Sequence, residues 1–101
     1  MNIIKAKTDN TLKIALQGRL DTLTAHKLEK DIRTALDGVT LLVWDLSELE
    51  YVSAAGLRIL LSAQKMMNKQ GKMVVKNSNQ SITEIFEVTG LVSVFTLEWT
   101  V

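Results

Sequence analysis

The chain has 101 residues, enough for one domain that buries about two thirds of the surface its unfolded form exposes. Its 47% hydrophobic and 23% charged residues are a globular composition rather than a disordered one, and its formal net charge of +1, from twelve basic and eleven acidic residues spread along the chain, offers no basic stripe for a nucleic-acid backbone. Cysteine is absent, which excludes disulfides and thiolate chemistry; MNIIKAKTDN is too polar for a signal peptide and no run is long enough for a membrane span, so the cytoplasm is the expected location.

Residues 2–7 and 11–17 read as two strands around a Thr8-Asp9-Asn10 turn, the second alternating Leu12, Ile14 and Leu16 with Lys13, Ala15 and Gln17. Helical spacing of Leu28, Ile32, Ala35 and Leu36 predicts an amphipathic helix over 23–37, with Asp21 or Thr22 as N-cap and Gly38 as its stop. The apolar run TLLVWDL, residues 40–46, predicts a central strand covered on both faces. A second helix over 54–70 presents Leu57, Leu60, Leu61 and Gln64 on one face, with Lys65 and Lys69 at its negative end and Gly71 after it. Met73-Val74-Val75 is a short third apolar run; Ser81-Ile82-Thr83-Glu84 has the capping-box spacing that starts a helix through about Val88; residues 92–97 form a last, weaker strand. The order ββαβαβαβ, with right-handed crossovers between parallel strands, predicts a single α/β domain over residues 1–101, a small sandwich on a mixed, mostly parallel sheet of about five strands.

The chemistry concentrates in LLVWDLSELEYVSAAGLRILL, residues 41–61, where a strand passes through a polar turn into a helix opening on Ser53-Ala54-Ala55-Gly56. In an α/β fold such a junction lies at the carboxyl end of the strand, and the new helix aims free N–H groups and a positive dipole outward. An anion or a partner surface suits it. The other polar residues carry less. Asp45 and Glu48 have no histidine, lysine or third acid predictably near and read as strand-end and turn residues. His26, the only histidine, falls early on the polar side of the first helix with no second ligand for a metal. Trp44, Met66 and Met67 follow the apolar pattern of the core, while Trp99 is nearly terminal. The glycines are isolated and nothing approaches a phosphate-binding loop, so neither a nucleotide, a metal nor another cofactor is expected. Without a nucleophile–base pair the chain reads as a non-enzyme.

Three strings in order carry a resemblance: Gly18-Arg19-Leu20-Asp21, Asp45-Leu46-Ser47 through Ala55-Gly56-Leu57-Arg58, and Ile85-Phe86-Glu87-Val88-Thr89-Gly90-Leu91. Over nearly its whole length the chain resembles the STAS domains, typified by bacterial anti-sigma factor antagonists. The resemblance implies a partner switch: the unphosphorylated domain binds a histidine-kinase-like anti-sigma factor and so frees a sigma factor, and the kinase reverses this by phosphorylating a serine at the start of the helix after the central strand. Anchored on Gly56-Leu57, that acceptor position holds Ala54, which has no oxygen to phosphorylate. Ser53 is the neighbouring substitute, and its alternative role is an N-cap bonding the N–H of Ala55 or Gly56, worth about 1 kcal/mol. The resemblance implies a partner surface of Val52, Ser53, Ala54, Ala55, Leu57 and Arg58, flanked by Asp21, itself also an N-cap candidate. An alternative within the family is a scaffold subunit of a lipid-transport ABC complex, again with an ATPase as partner.

Overall fold

The computed structural model describes residues 1–100. Two strands, β1 (Asn2–Thr8) and β2 (Thr11–Leu20), form a hairpin around a tight turn at Asp9-Asn10. There follow α1 (Thr22–Ala35), β3 (Leu41–Val52), α2 (Ala54–Asn68), β4 (Lys72–Lys76), α3 (Gln80–Val88), a 3-10 turn (Leu91–Ser93) and β5 (Thr96–Glu98). The sheet order is β1-β2-β3-β4-β5, with β1 antiparallel to β2 and every other pairing parallel. Mixed α/β with a mostly parallel five-stranded sheet is thus the architecture.

Side-chain alternation along the strands sets the layers. Leu12, Ile14 and Leu16 on β2, Leu42, Trp44 and Leu46 on β3, and Met73 and Val75 on β4 are all buried, and register aligns Ile14, Trp44 and Val75 across three strands. Against this face pack Ala25, Leu28 and Ile32 of α1, Ile59, Leu60, Ala63 and Met67 of α2, and Ile82 and Phe86 of α3, in one core cluster. Leu57 and Leu61 stand half-buried at the edge of the α2 stripe rather than in its middle. Trp44 is fully buried and its indole N–H points at the Met73 sulfur, 3.3 Å away.

Four sequence expectations are corrected. The central strand is covered on one face only: Leu41, Val43 and Asp45 alternate with the buried residues and are half-exposed, because the helices share the other face. That strand also runs six residues further, to Val52, past a register shift where the Asp45 carboxylate accepts the Ser47 N–H at 3.0 Å. The third helix is capped by Asn79 and not Ser81; Asn79 accepts the Ile82 N–H at 2.9 Å while its own amide donates to the Leu49 carbonyl at 3.1 Å, so one side chain both caps the helix and ties it to β3. The last predicted strand begins as the 3-10 turn and is extended only over Thr96–Glu98.

Candidate protein-binding site

β2 and β3 are parallel neighbours, so both deliver their following helices to the same end of the sheet. Leu20 and Val52 are register partners, and the Ser53 N–H donates to the Leu20 carbonyl at 2.8 Å. The next residue of each chain segment, Asp21 and Ser53, is the N-cap of α1 and α2 respectively. Two helix N-termini therefore open side by side, at a separation set by the roughly 5 Å spacing of adjacent strands.

Each cap is satisfied locally. The Asp21 carboxylate accepts the Thr24 N–H and the Thr24 hydroxyl at 3.0 Å, and the Asp21 N–H donates back to the Thr24 oxygen at 2.9 Å, closing a capping box. The Thr24 backbone N–H, then its hydroxyl, hold the Asp21 carboxyl below its ordinary range, with Arg19 adding a smaller electrostatic pull. Ser53 Oγ accepts the Gly56 N–H at 3.2 Å, so its hydroxyl serves as the cap of α2. Gly56 permits this fit: a Cβ there would lie 2.8 Å from Leu20 Cγ and 2.9 Å from Val52 Cγ2, so only a bare Cα lets α2 settle onto the strand ends.

The residues expected at this surface separate into two kinds. Ala54 and Arg58 are exposed, and Asp21, Ser53, Ala55 and Leu57 are half-buried around them. Val52 is the correction, for it is buried beneath α2 and supports the turn instead of facing outward. A shallow groove between α1 and α2 continues the surface, lined by Thr22, His26 and Glu29 on one side and Ala55 and Arg58 on the other. His26 is a solvent-facing helix residue on that groove.

Sequence reading missed three contributors: Leu23, 71% exposed in the first turn of α1, and the Arg19–Tyr51 pair, whose guanidinium carbon sits 4.2 Å from the ring centroid. The pair exists because β2 and β3 stay in register beyond their bulges, bringing Arg19 opposite Tyr51. On the open face below, Asp45 does have a lysine neighbour, Lys13 Nζ at 3.9 Å, contrary to expectation, since the two lie on adjacent strands. Partial burial pushes the Asp45 carboxyl up, but the Ser47 N–H and hydroxyl, Lys13 and the Asn77 side chain outweigh it and hold the group below its ordinary value. Among the described residues no three His, Asp or Glu side chains gather as a metal site, and no helix is long and apolar enough to cross a membrane.

The STAS domain model matches residues 2–101. The chain belongs to the STAS domain family. This STAS domain is 35% identical over 97 residues to BtrV of Bordetella bronchiseptica, named as a candidate anti-sigma factor antagonist, with 94% of this chain and 84% of that protein covered. It is 27% identical over 93 residues to the anti-sigma-B factor antagonist of Bacillus subtilis, covering 90% and 84%. Among solved structures, an anti-sigma factor antagonist from Mycobacterium paratuberculosis superposes with a TM-score of 0.85 at 27% identity, covering 95% of this STAS domain and 83% of that chain. Unphosphorylated SpoIIAA superposes at 0.80 and 18% identity over 99% and 90%, which extends the likeness of fold.

Proposed function

We propose that this STAS domain is an anti-sigma factor antagonist, a binding module without catalytic activity, whose interface is the pair of helix N-termini and which phosphorylation does not switch off. The observation that carries the reading is the exposed Ala54 at the first position of α2, on the strand end next to the capped Asp21. The names of the relatives and their near-complete coverage support the antagonist class.

The partner in this reading is a histidine-kinase-like anti-sigma factor, sequestered so that its sigma factor is released. Small side chains at Ala54 and Ala55 let a partner backbone approach the α2 N-terminus, while Leu23 and Leu57 add apolar contact and Arg58 and Asp21 give charge at the rim. Ser53 is a poor substitute acceptor because its oxygen is already engaged by the Gly56 N–H, and freeing it unravels the cap. The domain is then permanently competent to bind.

The test is affinity capture of the tagged chain from its own source, followed by titration with the captured ATPase before and after incubation with ATP. Recovery of a histidine-kinase-like protein, with affinity and intact mass unchanged by ATP, is the expected result. Recovery of transporter subunits instead overturns the antagonist reading, and a mass gain of one phosphoryl group on Ser53 overturns the absence of control.

A further inference from the structure

All three helices pack on one face of the sheet, which leaves the opposite face uncovered among the described residues, and strand register maps that face row by row. Val43 of β3 stands beside Val74 of β4, both half-buried, and the two form its apolar middle. One pleat further toward the carboxyl ends of the strands lies a charged row: Asp45 of β3, Lys76 of β4 and Glu98 of β5. Lys13 of β2, in register with Val43, reaches up to Asp45 at 3.9 Å. From β2 to β5 the signs therefore alternate, plus, minus, plus, minus. Among the described residues, Lys76 and Glu98 enter no ion pair within the chain.

An alternation of this kind is self-complementary. In a twofold dimer the same patch serves both copies, and two such faces can be stacked with the axis running along the strands, midway between β3 and β4. Each β3 then lies over the partner's β4, so Val43 meets the partner's Val74 and Asp45 meets the partner's Lys76. Each β2 lies over the partner's β5, which brings Lys13 toward the partner's Glu98. Every contact occurs twice, and each carboxylate of the row faces a lysine. Other placements lose this match. An axis on β3 sets Asp45 against the partner's Asp45, and an axis across the strands through the valine row sets Lys76 against the partner's Lys72.

We propose that the uncovered sheet face binds a second copy of this chain, in a twofold dimer whose axis lies between β3 and β4. Aligned sheets pack about 10 Å apart and about 30° askew; that angle displaces Asp45 and Lys76 little, because they flank the axis, and the flexible stem of Lys13 absorbs the larger offset at the rim. Four overlapping strands span only about 20 Å, nearer to the weak than to the obligate class of interface, so a dissociation constant of about 10–500 μM is expected. Because the axis follows the strands, both copies present their helix N-termini at the same end of the dimer. The inference does not depend on the proposed function.

The test is sedimentation equilibrium of the intact chain, where a monomer–dimer equilibrium is expected. Lys76→Glu and Asp45→Lys each set like charges across the interface, and each alone is expected to weaken the dimer at least about tenfold. Mixing the two variants in equal amounts restores opposite signs at both crossings and is expected to return the dimer. Val74→Glu, which places a charge in the apolar middle, gives an independent loss should Asp45→Lys fold poorly. A wild-type chain still monomeric at about 1 mM, the weak limit of specific association, overturns the proposal. A dimer that Lys76→Glu and Val74→Glu leave equally strong overturns it too, since it then forms through another face, and folded charge variants that fail to pair on mixing overturn the placement of the axis.

Discussion

Arg19 and Tyr51 are register partners on parallel strands, and the guanidinium of one lies over the ring of the other at 4.2 Å. The stack stands at the sheet end that carries both helix caps, and Tyr51 is 39% exposed, so it is a surface clamp between β2 and β3. Exposed cation–π pairs contribute about 0.5–1 kcal/mol. Denaturant unfolding of Arg19→Ala, Tyr51→Ala and the double variant is expected to give a coupling of that size. Additive losses, with no coupling, would show that the two side chains act independently.

Replacing Ala54 by Asp separates stability from binding. A carboxylate at the first position of a helix interacts favourably with its dipole by about 0.3–1 kcal/mol, so the variant is expected to unfold at equal or slightly higher denaturant. If the proposed interface at the helix N-termini holds, binding to the anti-sigma factor is expected to fall at least about tenfold, because the new charge would be desolvated there. Ala54→Ser, conversely, presents a hydroxyl where the proposed function puts the missing phospho-acceptor, and on that proposal intact mass after incubation with ATP and the partner is expected to show phosphorylation.

Ser53→Ala removes the oxygen that accepts the Gly56 N–H. Loss of such a cap costs about 1 kcal/mol, which for a domain of this size lowers the thermal midpoint by about 4–8 °C. Ser53→Asp is expected to retain most of the stability, since Asp caps equally well. A midpoint unchanged in Ser53→Ala would remove the hydroxyl from the account of α2.

Acid sensitivity should register at Asp21. Its folded pKa lies below the ordinary 3.8, chiefly through the Thr24 N–H, so the folded state favours the carboxylate and the unfolded chain takes up the proton first as pH falls. The stabilisation is therefore complete above 3.8 and is lost as the pH drops below it, through the lower folded value. Comparing Asp21→Asn with wild type across the acid range is expected to show a stability gap at neutral pH that closes under acid. A gap independent of pH would mean that ionisation of Asp21 contributes nothing.

Gly71 bears on the fold rather than the site. A Cβ at this residue would overlap the Thr40 carbonyl, which also accepts the Lys72 N–H at 2.9 Å as β4 enters the sheet. Overpacking against side chains costs about 1–3 kcal/mol, and a backbone obstacle yields less readily. Gly71→Ala is expected to lose stability at the upper end of that range in equilibrium denaturation, whereas Asp37→Ala, on an exposed turn, serves as the neutral control.

The order of elements was legible because each strand of β2 to β4 carries apolar residues at the right period and each helix has a polar start. The far half of β3 was not, since the bulge after Asp45 breaks the alternation and Leu49 and Val52 are three residues apart rather than two. The cap of α3 was misplaced because Ser81 and Asn79 are both competent by residue type, and what decides between them is the distant Leu49 carbonyl that only Asn79 reaches. At the site, Asp21, Ser53 and Gly56 could be read from residue preference at caps and turns. Arg19 facing Tyr51, and Val52 turned inward, depend on how two strands align after separate irregularities, and no local pattern records that.

The spatial order of the five strands repeats their order along the chain. Each strand adds to the outer edge of the one made before it, and none has to wedge between two that are already paired. As the polypeptide leaves the ribosome, the sheet can therefore grow in one direction, with α1 and then α2 covering each increment before the next arrives. Released early, a nascent chain that ends after α2 already holds both capped helix starts, while the row of strand groups awaiting β4 stays open until β4 itself emerges.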